Sequence, residues 1–288
     1  NNHSSTARNS AGSQGGVKTV AVLKEKPKVG GSHFYDLAGK ACHSQIGKNG
    51  LERNTTLRDA RKLGLLPSVT GITGIFAKPG LDRWKRNELC RIAFELEPID
   101  GESLADFTDR CLVAHQKPVE SAADFGSEIH DAIEKYFEGK PIPDHLLEYI
   151  QPAFDWKQKN QLEFIERELI LVNPIHGFAG MVDIVGKGAN GQQFIIDWKT
   201  RKTKPKVKVT SYDFQAHQIA AYGGTYFGEK EILEGRVYGA NCYISSTEPG
   251  RFEVISYSPE ELAEAWKSFV AACEIWRSLK KYDPRPGQ

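Results

Sequence analysis

Apolar positions along this chain recur in two rhythms, and the switches between them mark out its elements. Upstream, the pattern predicts a short hairpin after His33-Phe34-Tyr35-Asp36, then a helix over 56–65. Pro79-Gly80 separates a short helix after Pro67 from an amphipathic one carrying Leu81, Trp84 and Leu89. A further helix is predicted over 102–116. From Ser121 the period is again helical, with Ala122, Phe125, Ile129, Ile133 and Phe137 on one face. Gly126 in that helix costs about 1 kcal/mol against Ala and predicts close approach by another backbone. Residues 144–160 repeat the helical pattern through Leu146, Ile150, Phe154 and Trp156. The rhythm then becomes that of strands, over 164–172, 178–185 and 193–199, and the Gly-rich 186–192 between the last two makes them a hairpin. A helix over 212–226, strands over 236–244 and 252–257, and a last helix to about 281 complete the order. The last helix opens on the capping box Ser258-Pro259-Glu260-Glu261, and Leu262, Trp266, Phe269, Val270, Cys273 and Leu279 form its apolar face.

Helices, strand, hairpin, helix, two strands and a helix fit an α/β fold with a central mixed β-sheet flanked by helices. Residues 1–31 are rich in Ser, Asn, Gly and Lys and are expected to form a poorly ordered tail; Arg and amphipathic period are too sparse there for a transit peptide. Residues 32–118 are expected to form an N-terminal helical lobe, and 119–288 the core.

With 26% charged and 40% hydrophobic residues over 288 positions, the composition is that of a globular protein. No run approaches the ~20 apolar residues of a membrane span, so no membrane is expected. Five scattered cysteines without a C-x-x-C pair argue against a disulfide framework, a structural zinc or an iron–sulfur cluster, and for a reducing cytoplasm. No Walker A sequence is present, hence no ATPase motor. The net charge of +1 hides a local excess: Lys199–Lys208 reads KTRKTKPKVK, six basic residues and no acid. Arg201, Lys202, Lys204 and Lys206 there are candidate contacts to nucleic-acid phosphates.

The hairpin carries the chemistry. Each of its apolar strands holds one carboxylate, Asp183 and Asp197, and alternation places Lys199 on the face of Asp197. Neighbouring carboxylates repel unless a cation lies between them, and oxygen donors suit magnesium. The lysine supplies a fixed positive charge able to orient a water or steady a phosphate oxygen.

Gly180-Met-Val-Asp183, followed fourteen positions later by Asp197 within Ile195-Ile-Asp-Trp-Lys-Thr, resembles the signature of the PD-(D/E)XK nuclease superfamily, and within it the RecB-like and phage-type exonucleases. The segment from Pro67 to Cys90 is similar to the opening of phage-encoded RecB-like and mitochondrial genome maintenance exonucleases, where it lies near the nucleic-acid path; Ser68, Thr70, Lys78, Arg83 and Lys85 are then candidate phosphate contacts. Gly126-Ser-Glu-Ile-His130 resembles the helix whose histidine joins the two aspartates, with Glu134 one turn on as a supporting partner. The matched motifs run from about Pro67 to Tyr222.

The resemblance implies a restriction-endonuclease-like core and one or two Mg²⁺ or Mn²⁺ ions held by His130, Asp183, Asp197 and the Trp198 carbonyl. It also implies a catalytic set of Asp183, Asp197, Lys199, Glu168 (preferred to Glu166) and Gln218, with Tyr222 beside the DNA. Gln215, Gln218 and Tyr222 share one helix face. The activity implied is a DNA exonuclease leaving 5′-phosphates, in phage-type recombination, repair or end processing in a bacterial or phage-infected cell. A single-strand annealing or single-strand binding protein is the partner that role suggests. An endonuclease on the same chemistry and a non-catalytic DNA-binding relative are the alternatives.

Overall fold

A computed structural model describes residues 33–287; the expected tail over 1–31 lies outside them. The chain enters through β1 (Phe34–Tyr35) and the hairpin β2 (Ser44–Ile46) and β3 (Glu52–Asn54). Helix α1 (Leu57–Leu63) starts on a capping box in which Thr56 and Asp59 satisfy each other's backbone N–H groups. Next come β4 (Leu66–Pro67), α2 (Val69–Thr73) and α3 (Pro79–Leu96); Pro79 and Gly80, expected to separate two helices, instead form the start of α3, with Pro79 at its first position. The long α4 (Leu104–Phe137) and α5 (Asp144–Lys159) lead into β5 (Glu163–Asn173), β6 (Phe178–Lys187) and β7 (Gln193–Arg201). Helices α6 (Gln215–Tyr226) and α7 (Glu229–Leu233) cross over to β8 (Val237–Ser245); β9 (Phe252–Tyr257) and α8 (Pro259–Lys280) finish the chain.

The central sheet is mixed, in the order β5-β6-β7-β8-β9, with only β7 and β8 parallel. Its two faces are covered separately. Val182, Val185 and Ile195 pack with Ile219 of α6 and Trp266 and Phe269 of α8. Ile184, Ile196 and Trp198 on the other face pack with Ile129 and Ile133 of α4 and Ile150 of α5. Helices on both faces explain why β6 and β7 read as nearly continuous apolar runs.

Two expectations are corrected. Residues 102–116 and 121–137 are not two helices but one, α4, about 50 Å long. Pro118 lies inside it and removes the backbone bond to the Ala114 carbonyl, yet the helix runs on through the exposed residues 116–122. Nor does a helical lobe begin at residue 32: β4 packs on β6, and α2 packs on α6 and α8. The lobe proper is α3 with the first half of α4, burying Ile92 and Cys111, and Arg110 clamps its turn through Glu102 and the Glu97 carbonyl. Among the described residues no helix is long and apolar enough to cross a membrane.

Candidate active site

The sheet parts where the two aspartates stand. The β6–β7 ladder runs from Lys187↔Gln193 to Ile184↔Ile196 and stops, whereas β7 goes on pairing with β8 to Arg201↔Ser245. Val182 and Val185 face α6 while Ile184 faces α4, so alternation slips by one residue around Asp183. Its side chain turns into the opening, and its Oδ2 accepts the Trp198 backbone N–H at 2.7 Å where a ladder carbonyl would otherwise stand. Glu168 lies between the pairs Arg167↔Ile184 and Leu169↔Val182, hence opposite Asp183, with φ at +45°. A left-handed non-glycine residue inside a strand is strained and marks the spot. Glu168 is buried, and its charge acts on His130. Glu166 is half-buried, and its charge acts instead on Tyr226.

Asp197, 2% exposed, accepts from three donors. Lys199 Nζ stands 2.5 Å and Asn241 Nδ2 2.9 Å from its Oδ2, and Gln218 Nε2 is 3.2 Å from its Oδ1. Gln218 also reaches the Tyr222 hydroxyl at 3.3 Å. His130 Nδ1 is 3.8 Å from Asp183 Oδ1, too far for a hydrogen bond. One turn on, Glu134 is buried and paired with Arg167 at 3.5 Å. Gly126 meets a side chain and not a backbone: a Cβ there would lie 3.0 Å from Thr200 Oγ1, holding α4 against β7.

The electrostatics are those of acids crowded together. Burial first, then the charge of Asp197, pushes the Asp183 pKa up to about 8. Burial would lower the Lys199 pKa, but the Asp197 and Asp183 carboxylates outweigh it and hold the ammonium above its ordinary value. Burial and then the Lys199 charge keep His130 below the usual imidazole value, against Asp197, Glu168 and a hydrogen bond to the Trp198 backbone. A neutral imidazole keeps a lone pair to offer. Among the described residues no three His, Cys, Asp or Glu side chains converge as a ready-made metal cluster. The positive charge on Asp197 is the Lys199 ammonium.

The candidate DNA contacts divide. Thr70, Arg83, Lys85, Lys202, Lys204 and Lys206 are exposed. The charge of Lys202 is felt at Glu88 of α3, which puts the basic loop beside the helical lobe. Two assignments are corrected by burial. Ser68, 5% exposed, caps α2, its hydroxyl accepting from Gly71 N–H at 3.0 Å. Tyr222, 4% exposed, packs on Gly180 with its hydroxyl on Gln218, so it supports the site from within. Arg201 is committed to its own loop, donating to the Thr210 carbonyl at 2.6 Å and lying 4.2 Å over the Tyr212 ring.

Two functional candidates escaped the sequence pattern, Asn241 against Asp197 and Arg251 under the basic loop. Arg251 donates to the carbonyls of Lys204 and Val207 and pairs with Glu253, which in turn accepts from Val209 N–H. Both positions become visible only through the β7–β8–β9 register; the one local signal was a polar Asn in a mostly apolar strand.

No family model matches the chain, and no curated protein matches it. Among solved structures the chain is similar to one described as a crystal structure of SSO0001, at 12% identity and a TM-score of 0.25 over 68% of this chain and 88% of that one. A likeness that distant carries no argument.

Proposed function

We propose that this chain is a divalent-metal-dependent deoxyribonuclease on a PD-(D/E)XK core. Specifically, it is an exonuclease of the RecB-like, phage type that hydrolyses phosphodiester bonds to leave 5′-phosphates in recombination, repair or end processing. The observation that carries this reading is the meeting of Asp183, Asp197 and Lys199 where β6 and β7 part. His130, Glu168 and Gln218 stand around them. A strand pair in a purely structural role has no use for two buried carboxylates, one with its pKa pushed to about 8.

The donor set fits a hard divalent cation. Asp183, Asp197, the Trp198 carbonyl and His130 would hold it, and the imidazole makes manganese as suitable as magnesium. Bound there, the ion would supply charge neutralisation for the scissile phosphodiester and make a nearby water more acidic. The chain's own groups do the rest. Lys199, beside Asp197, orients the attacking water and stabilises negative charge as it develops. Gln218 fixes Asp197 from α6, and the exposed lysines of the basic loop draw in the phosphate backbone.

The test is incubation with Mg²⁺ or Mn²⁺ on linear and closed-circular DNA, single- and double-stranded. Digestion confined to linear substrates, yielding 5′-phosphorylated products, is the expected result. Cutting of closed circles would make the enzyme an endonuclease, and binding without cleavage would leave a DNA-binding protein.

A further inference from the structure

Asp197 has to do two things that compete. It must present an oxygen toward the crevice, and it holds the ammonium of Lys199 at 2.5 Å. If Lys199 serves the reacting water, another group must keep the carboxylate in place. Gln218 is half-buried and bonds it at 3.2 Å, the longest of its hydrogen bonds. Asn241 is different: it is 0% exposed, sits directly across the parallel register from Asp197, and donates to its Oδ2 at 2.9 Å.

The direction of that amide is dictated by its other end. The Tyr257 hydroxyl lies 2.6 Å from Asn241 Oδ1, on the neighbouring strand β9. Turned around, the amide would set its carbonyl oxygen against a carboxylate, so chemistry allows one orientation. Tyr257, itself 7% exposed, is also hydrogen-bonded by the Ser211 side chain at the end of the basic loop. A buried strut thus runs from the carboxylate across β8 to β9. No packing demand calls for it, since Asn241 stands in a strand otherwise able to be apolar.

We infer that Asn241 is a positioning residue for Asp197, held in its working orientation by Tyr257, and that this pair fixes the carboxylate for cation binding. This rests on the nuclease reading. Removing the strut leaves Lys199 as the dominant partner of Asp197 and turns the carboxylate from the crevice toward the ammonium.

The test uses the full chain, with Asn241→Leu, which keeps the branched side chain but is bulkier and has no amide, and Tyr257→Phe, which keeps the ring and deletes one hydroxyl. Titration calorimetry with Mn²⁺ should show affinity falling about 10- to 100-fold for Asn241→Leu and less for Tyr257→Phe, with single-turnover cleavage falling in parallel. DNA affinity in EDTA should stay near that of the unaltered protein. Lowered melting temperatures with unchanged Mn²⁺ affinity would overturn the inference and leave Asn241 a structural residue. Should Asn241→Leu not fold, Tyr257→Phe decides alone by the same readout. The unaltered protein separates the two claims: if it neither binds Mn²⁺ nor cuts DNA, the nuclease reading falls with the inference; if it does both and the variants match it, only the inference falls.

Discussion

Asp183→Asn separates charge from shape at the crevice. Asparagine matches aspartate in volume, and its amide oxygen can still accept the Trp198 N–H now 2.7 Å from the carboxylate. What disappears is a buried negative charge facing Asp197 and Glu134 and only partly balanced by Lys199. Burial and Asp197 raise the pKa of Asp183 from 3.8 to about 8. An acid whose pKa is raised on folding holds its proton more tightly in the folded chain. It therefore costs no stability below pH ~4, and the cost accumulates as pH rises toward about 8, the reverse of an ordinary salt-bridged aspartate. Each pH unit is worth about 1.4 kcal/mol, so the interval up to pH 7 sets a ceiling near 4 kcal/mol. Water entering the crevice screens part of that, leaving about 2–3 kcal/mol. For a chain of this size that is roughly 5–10 °C in melting temperature. Thermal melts in EDTA at pH 5 and pH 8 are the assay. The variant should melt well above the unaltered protein at pH 8 and only slightly above it at pH 5, while cleavage in Mn²⁺ is lost. A variant no more stable at pH 8 would refute the reasoning, because Asp183 would then not be a buried repulsive charge.

Lys199→Ala should lower the single-turnover rate by roughly 10²–10³-fold, with DNA affinity in Ca²⁺ falling far less. Lys199→Arg should rescue poorly, since a planar fork cannot take the place of a compact ammonium beside Asp197; a Lys199→Ala rate near that of the unaltered protein would put the catalytic centre elsewhere. Replacing Lys202, Lys204 and Lys206 by Ala should flatten the log–log salt dependence of DNA binding by about 0.7–0.9 for each phosphate no longer neutralised, and an unchanged slope would return the loop to an ordinary solvated segment. Gly180→Ala would place a Cβ 2.9 Å from Tyr222 Cε1. It should cost about 1–3 kcal/mol in a denaturant titration and slow cleavage by disturbing the Tyr222–Gln218–Asp197 chain, whereas unaltered stability would mean that the ring yields freely.

The parts of the fold that were legible were those fixed by local chemistry. The β6–β7 hairpin follows from two apolar runs around a Gly-rich turn, and the start of α8 from its capping box. Asp197 and Lys199 share a face by alternation alone, and the structure joins them. What was not legible needed long-range facts. A proline reads as a helix end, and no pattern in 102–137 says that the helix runs on through Pro118. Ser68 and Tyr222 were placed near DNA by motif, but their exposure is decided by what α2 and α6 pack against. Asn241 lies 44 residues from Asp197, and their hydrogen bond exists because a crossover through α6 and α7 brings β8 alongside β7 in one register.

If the proposed function holds, the same geometry lets a chain of net charge +1 attract DNA and yet gather acids where DNA would be cut. The lysines at 202, 204 and 206 lie outside, on a loop pinned to β8 and β9 by Arg251, Thr203 and Thr247. Asp183, Asp197, Glu134 and Glu168 lie inside, buried, where each is shielded from water but not from the others. Taken alone, the outer charges would concentrate a polyanion at a mouth whose interior repels it. On the proposed reading, a divalent cation between the two aspartates would remove that contradiction, because it would cancel the Asp197 repulsion that adds to burial in raising the Asp183 pKa and would offer the phosphate a positive partner. The parting of β6 from β7 is what lets one sheet hold both charge layers. The ladder that closes at Ile184↔Ile196 leaves Asp183 free to turn inward, while β7 continues past Asp197 and Lys199 into the basic loop without a break.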